Sequence, residues 1–231
     1  MVINYKSAPS QNRRDESMKP FKEFIEGIAS AKAPGPSMKF GASHVFFAME
    51  LMAGKIIGRN HLAKELEVGE GTVRTIVSRL KSDELIKTSK KGCSLTSKGC
   101  MVWGKFEQLF PKRAEIGKNE LTNARQNYAF LVKNSGQSVR SGIEQRDAAI
   151  VAGATGAVIV VAKQGHLTIE SVSNRVEKRF PEAAGQIEKA LKPEENDVVV
   201  LVGAATSLRA KHGVFAASWT LVGNDERFSL S

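Results

Sequence analysis

Residues 71–82 read GTVRTIVSRLKS. Val73, Ile76, Val77 and Leu80 recur at i, i+3, i+4 and i+7, the spacing of one buried stripe on an α-helix. Thr72, Arg74, Thr75, Ser78 and Arg79 are left on the other side. Arginine can donate to guanine O6 and N7 together, while threonine and serine suit phosphates or base edges. The stripe alone defines an amphipathic helix. Its neighbours decide whether the polar face reads DNA or only meets water.

Upstream, Leu62, Ala63 and Leu66 predict a helix over residues 60–66, and Val68-Gly69-Glu70-Gly71 predicts the turn into the next one. Downstream, residues 85–88 and 93–95 read as two short strands joined by Ser89-Lys90-Lys91-Gly92. A further helix begins near Ser97, carries Trp103, Phe106, Leu109 and Phe110, and stops at Pro111. Before all of these, helices are predicted over residues 20–33 and 43–53 and a short strand over residues 55–58. The order helix, strand, helix, turn, helix, hairpin, helix is the plan of a winged helix-turn-helix, whose second helix enters the major groove. Lys90 and Lys91 at the hairpin tip would reach the backbone or minor groove, and Lys87 and Lys98 flank them. Arg59 completes the basic DNA-binding set.

The charge distribution agrees. The chain has 231 residues and a net charge of +10. Residues 1–120 hold 21 Lys/Arg against 13 Asp/Glu, whereas residues 121–231 hold 13 against 11. The basic excess therefore lies in the half that carries the winged-helix pattern, which points to double-stranded DNA as partner. A generally basic proteome is the bland alternative. With about six phosphates neutralised, the log–log salt slope of binding would be roughly −5. Residues 1–18 read as a flexible basic arm containing Arg13 and Arg14.

The stretch HLAKELEVGEGTVRTIVSRLKSDELIKTSKKGCSLTSKG (residues 61–99) resembles the winged helix of MarR-type and diphtheria-toxin-repressor-type regulators. With its flanking helices the resemblance covers about 60 residues. It implies that Thr72, Arg74, Thr75 and Ser78 occupy groove-facing positions. Glu84 stands where such proteins often place a glycine before the wing strand. The metal ligands of the toxin-repressor family have no counterpart here, so metal regulation is not implied.

The second half has a different texture. Ala157–Ala162 (AVIVVA) and Asp197–Val202 (DVVVLV) are apolar, β-branched runs of the kind buried on both faces. Further strands are predicted over residues 128–132 and 167–170. Helices are predicted after Ser141-Gly142-Ile143-Glu144, which has capping-box spacing, over residues 174–191 with a break near Pro181, and over residues 207–221. The alternation predicts an α/β domain with a mixed sheet. The expected fold class is thus α+β/α/β, with a winged helix-turn-helix domain over residues 19–118 and a small α/β domain over residues 125–231. The charged residues 112–124 mark the boundary or continue the preceding helix. The whole chain is similar to a group of archaeal proteins that join a winged helix to an uncharacterised α/β domain. That similarity rests on GIEQRDAAIVAGATGA and DVVVLVGAATSLRAKHGVFAAS.

Two strand-to-helix loops in this half are rich in small residues. If their strands were parallel neighbours, Ser135, Gly136, Ser138, Arg140, Gly203, Thr206 and Arg209 would line one pocket for a small anionic ligand at helix N-termini. The alternative is that small residues simply permit tight helix–sheet packing. Neither loop matches a phosphate-binding fingerprint. Arg146-Asp147 reads as an ion pair or a ligand clamp. His44, His61, His166 and His212 are scattered, the two cysteines fit no zinc spacing, and no nucleophile–base set is apparent. Neither catalysis, nor a cofactor, nor a metal is expected.

The sequence thus predicts a cytoplasmic, DNA-binding transcriptional regulator without a membrane segment. Its C-terminal domain would sense a ligand, dimerise, or both, and the chain would form a homodimer. The stripe Trp103, Phe106, Phe110 would bury a dimer surface, an interdomain surface or a core within one chain. The alternatives are a sequence-independent architectural DNA-binding protein, a nucleotide-dependent enzyme fused to a winged helix, and a protein-interaction module.

Overall fold

The computed structural model of the chain describes residues 20–30 and 40–223. The arm read at residues 1–18 lies outside them. The first part comprises α1 (Phe21–Ala29), α2 (Ala42–Ala53), α3 (Arg59–Glu65), α4 (Glu70–Ser82), a hairpin of β1 (Ile86–Ser89) and β2 (Gly92–Leu95), and α5 (Ser97–Leu109). On α4, Val73, Ile76, Val77 and Leu80 are all buried, as their spacing requires. Thr96 starts α5 by accepting from the Gly99 N–H at 3.0 Å. The strand expected at residues 55–58 contracts to a single bridge between Ile57 and Cys93. Gly92 allows that bridge. Its φ is +134°, and a Cβ there would stand 2.5 Å from the Ile57 carbonyl oxygen.

The second part follows as β3 (Lys112–Ile116), β4 (Gln126–Val132), a 3₁₀ turn (Gly136–Ser138), α6 (Ile143–Val151), β5 (Gly156–Lys163), β6 (His166–Thr168), α7 (Val176–Arg179), α8 (Pro181–Leu191), β7 (Val198–Ala204) and α9 (Ser207–Thr220). Its five strands form one sheet in the order β3-β4-β7-β5-β6. The α+β class stands, but the mixed sheet is corrected: every pairing is antiparallel. β4 and β5 do run the same way, as a strand–helix–strand alternation suggests. β7 inserts between them, antiparallel to both.

All seven residues of β7 are buried. Val198, Val200 and Val202 face one core with α9, while Val199 and Leu201 face a second core with Ile187 and Leu191 of α8. That double burial is why DVVVLV lacks polar alternation. β3 was not anticipated, and it moves residues 112–116 from the N-terminal unit into the sheet of the second. It is a short edge strand with three charged residues in five, the composition that keeps an edge from pairing further. The capping box at α6 does not form. Gly142 is the N-cap in the left-handed region (φ 73°), and Ser141 Oγ accepts only from the Ile143 N–H, at 3.4 Å.

The two parts share a continuous core. Phe46 of α2 meets Trp103, Phe106 and Phe110 of the first part and Phe130 and Phe215 of the second, with ring centroids between 4.9 and 6.1 Å. The aromatic stripe of α5 therefore packs within one chain, at the junction of its two parts. Arg113 of β3 clamps the same junction. Its Nε donates to Glu50 Oε1 at 2.9 Å, and its guanidinium lies over Phe46 and Trp103.

Candidate nucleic-acid interface

α3 and α4 are separated by residues 66–69, and the β1–β2 hairpin stands beside α4. Between the start of α3, the outer side of α4 and the hairpin lies an open groove of about 710 Å³. Arg59, Arg74, Ser78, Lys90 and Lys91 line it, so five of the eight residues expected to touch DNA converge on one surface. Lys81 and Asn60 line it as well and were not anticipated. Lys81 was legible, because it follows Arg74 at i+7 and Ser78 at i+3 on one helical face. The groove's lining thus holds five cations and no carboxylate. Arg74 has a counter-charge in Glu70, whose carboxylate lies 3.7 Å away with both side chains well exposed. Such an exposed pair is worth little and is readily exchanged for a phosphate.

The other three expected residues lie apart from the groove. Thr72 is half-buried at the start of α4. Thr75 is exposed, but its hydroxyl donates back to the Gly71 carbonyl at 3.0 Å. Arg79 is turned away altogether. It donates to the carbonyl oxygens of Ile28 and Ser30 and covers the Phe40 ring at 5.3 Å. A guanidinium held by the end of α1 is a structural clamp, and its assignment to DNA is corrected. Lys87 and Lys98 lie outside the groove, with Thr96 and Glu84 along a neighbouring hollow that shares Lys81 and Thr88 with it. Glu84, at the position where such proteins often place a glycine, takes a φ of +60°.

The ligand pocket does not assemble. In the antiparallel pairing of β4 and β7, Val132 stands against Val198 and Gln126 against Ala204. The loops after the two strands therefore leave opposite ends of the sheet, roughly 20 Å apart. Ser135, Gly136, Ser138 and Arg140 belong to one end, where the Gly136 N–H donates to the Asn196 carbonyl at 2.8 Å. Gly203, Thr206 and Arg209 belong to the other, where Thr206 caps α9 through the Arg209 N–H at 3.3 Å. Gly203 is explained by packing, since a Cβ there would stand 2.5 Å from that of Ala124. A cavity that the sequence did not reveal, about 310 Å³, lies instead beside the start of α6 among Val139, Ser141, Ile143, Arg146, Ile159 and Phe180.

Two histidines read as scattered are in fact paired. His44 of α2 and His212 of α9 have ring centroids 4.4 Å apart, and His212 Nδ1 lies 2.7 Å from Ser43 Oγ. Burial, aided by the charge of His44, holds His212 down to about 4, and burial lowers His44 also.

The fold and groove define a class: an N-terminal helical unit with a lysine-tipped hairpin, joined through a shared core to a second unit built on a five-stranded antiparallel sheet. Comparison with known proteins gives similarity at the level of both parts. Residues 46–101 match the family model "PH0730-like, N-terminal domain", and residues 123–221 match a domain of unknown function, DUF4443. Among solved structures, the hypothetical protein PH0730 from Pyrococcus horikoshii OT3 is similar, at 26% identity and a TM-score of 0.65 over 79% of this chain and 93% of that one. No curated protein matches the chain. Among the described residues, no helix is long and apolar enough to cross a membrane.

Proposed function

We propose that the chain is a DNA-binding transcriptional regulator whose N-terminal unit works as a winged helix. The observation that carries this reading is the groove in which Arg59, Arg74, Lys81, Lys90 and Lys91 converge without a carboxylate. A concave surface of one sign, bounded by a helix and a hairpin, suits a phosphate backbone running between two grooves of a duplex. Arg74 and Ser78 then face the major groove, and the lysine tip lies over the adjacent backbone. A small ligand would act through the second part, in the cavity beside α6.

The test is binding of labelled duplex DNA followed by anisotropy from low to high salt. A log–log slope of roughly −4 to −5 is expected from four or five neutralised phosphates. Absence of salt-dependent duplex binding would overturn the reading in favour of a protein-interaction module.

One observation favours a second reading, sequence-independent binding. Arg79 and the Thr75 hydroxyl are engaged within the protein, which leaves few side chains free to read base edges. Competition between a selected site and random duplex at fixed salt separates the two. A regulator prefers its site at least about 10³-fold.

A further inference from the structure

The outer side of α6 carries a self-complementary pattern. Ile143, Arg146, Asp147 and Ile150 follow one another at i, i+3, i+4 and i+7, so they form one stripe. All four are exposed, and Val151 beside them is 89% exposed. Six large apolar side chains are exposed among the described residues. Three of the six belong to this nine-residue helix, and a fourth, Val172, borders the adjoining cavity. Such concentration on one short helix marks a surface that is covered in use.

We propose that this surface pairs with the same surface of a second copy, α6 against α6 in antiparallel fashion. A twofold axis passing between Arg146 and Asp147 places each residue opposite a suitable one. Ile143 meets Ile150 of the second copy, and Arg146 meets Asp147 of the second copy. Val151 comes over Gly142 of the second copy. Each contact occurs twice, as an isologous interface demands. The alternation of apolar and opposite-charge positions reads the same in both directions, which selects this chain itself as occupant. Within one chain the Arg146–Asp147 contact is long, 3.3 Å between neighbouring residues, and the intermolecular pair offers both groups a facing partner.

The surroundings leave the approach open. α6 lies beside α9 and over β5. β6 pairs only with Val161, Ala162 and Lys163 of β5. Among the described residues no strand pairs with residues 156–160 on the edge away from β7. The α6–α6 pairing does not depend on nucleic acid, and it leaves both basic grooves exposed.

A surface of this size is at the small end of specific interfaces, so mass is measured on the full chain without DNA by sedimentation equilibrium at about 100 µM. The wild-type chain is expected at twice the mass of one chain. Ile150→Asp, Arg146→Asp and Asp147→Arg are each expected to fall to the mass of one chain, with association at least about tenfold weaker. Each single charge change sets like charges face to face across the axis. The double change Arg146→Asp with Asp147→Arg restores the opposite pairs and with them the doubled mass. Thermal melts matching the wild type establish that the exposed substitutions leave the fold intact. A wild-type chain of single mass at that concentration overturns the proposal. So do single charge variants that stay paired, and a double variant that stays single.

Discussion

Arg79 Nη1 donates to the carbonyl oxygen of Ile28 at 2.7 Å and so ties α4 to the end of α1. α1 in turn reaches the second part, because Lys22 donates to the carbonyls of Trp219 and Val222 and Trp219 donates to Glu26. The guanidinium therefore holds the candidate reading helix against a strap that is anchored on α9. Arg79→Ala leaves two helix-end carbonyls without this donor, at a cost of about 1–3 kcal/mol. The expected melting temperature falls by several degrees, roughly 2–4 °C per kcal/mol. The salt slope of duplex binding, measured below the melt, stays that of the wild type. A slope reduced by about one, with an unchanged melt, would instead make Arg79 a phosphate contact.

Glu84 occupies a left-handed conformation with φ +60°, and its carbonyl accepts from the Thr96 hydroxyl at 2.6 Å. A glycine relieves the steric cost of this conformation and keeps the carbonyl in place. Glu84→Gly is expected to stabilise the chain by up to about 1 kcal/mol, after the larger backbone entropy of glycine is allowed for. The midpoint of chemical denaturation rises while the slope m is unchanged. A lowered midpoint would mean that the exposed Glu84 side chain contributes more than the backbone strain costs.

How much of this was legible in the sequence follows from what each signal encodes. The α4 stripe and the β7 run were readable because burial imposes a period of 3.6 on one and doubly apolar character on the other. Convergence of Arg59, Arg74, Ser78, Lys90 and Lys91 followed from the order of elements alone. Strand direction did not, because a local pattern cannot say which strand inserts between β4 and β5. That one unknown dismantled the ligand pocket. β3 escaped because an edge strand with a solvent side needs little apolar content. Arg79 was misread because Ile28 is 51 residues away in sequence, and a helical wheel shows only which side a residue is on. The pairing of His44 with His212 was hidden for the same reason.

That histidine pair sets a pH dependence. His212 is held at about 4 in the folded chain against an ordinary 6.5. The folded state therefore binds fewer protons than the unfolded state between these values. Stability is complete above pH 6.5 and is lost as pH falls toward 4, below which the loss is constant. The loss is up to about 3 kcal/mol, and burial of His44 adds in the same direction. Denaturation midpoints taken from pH 7.5 to 4.5 for the wild type and His212→Gln should converge as pH falls. Curves that stay parallel would show that protonation of His212 is not coupled to folding.

Lys90 and Lys91 at the hairpin tip and Arg74 on α4 line one groove, and in the proposed complex they face different parts of a duplex. Lysines on a turn contact phosphates, which carry no sequence information. Lys90→Ala with Lys91→Ala is accordingly expected to weaken binding equally on every sequence and to reduce the salt slope by about two. Arg74→Ala removes the side chain best placed for a base edge, since its Glu70 contact is long and exposed. It is expected to cost about 1–3 kcal/mol on the preferred site and much less on random duplex. Anisotropy titrations of both variants on both duplexes, each over a salt series, separate the roles. If Arg74→Ala also loses affinity uniformly, the groove holds backbone alone, and the chain binds DNA without reading it.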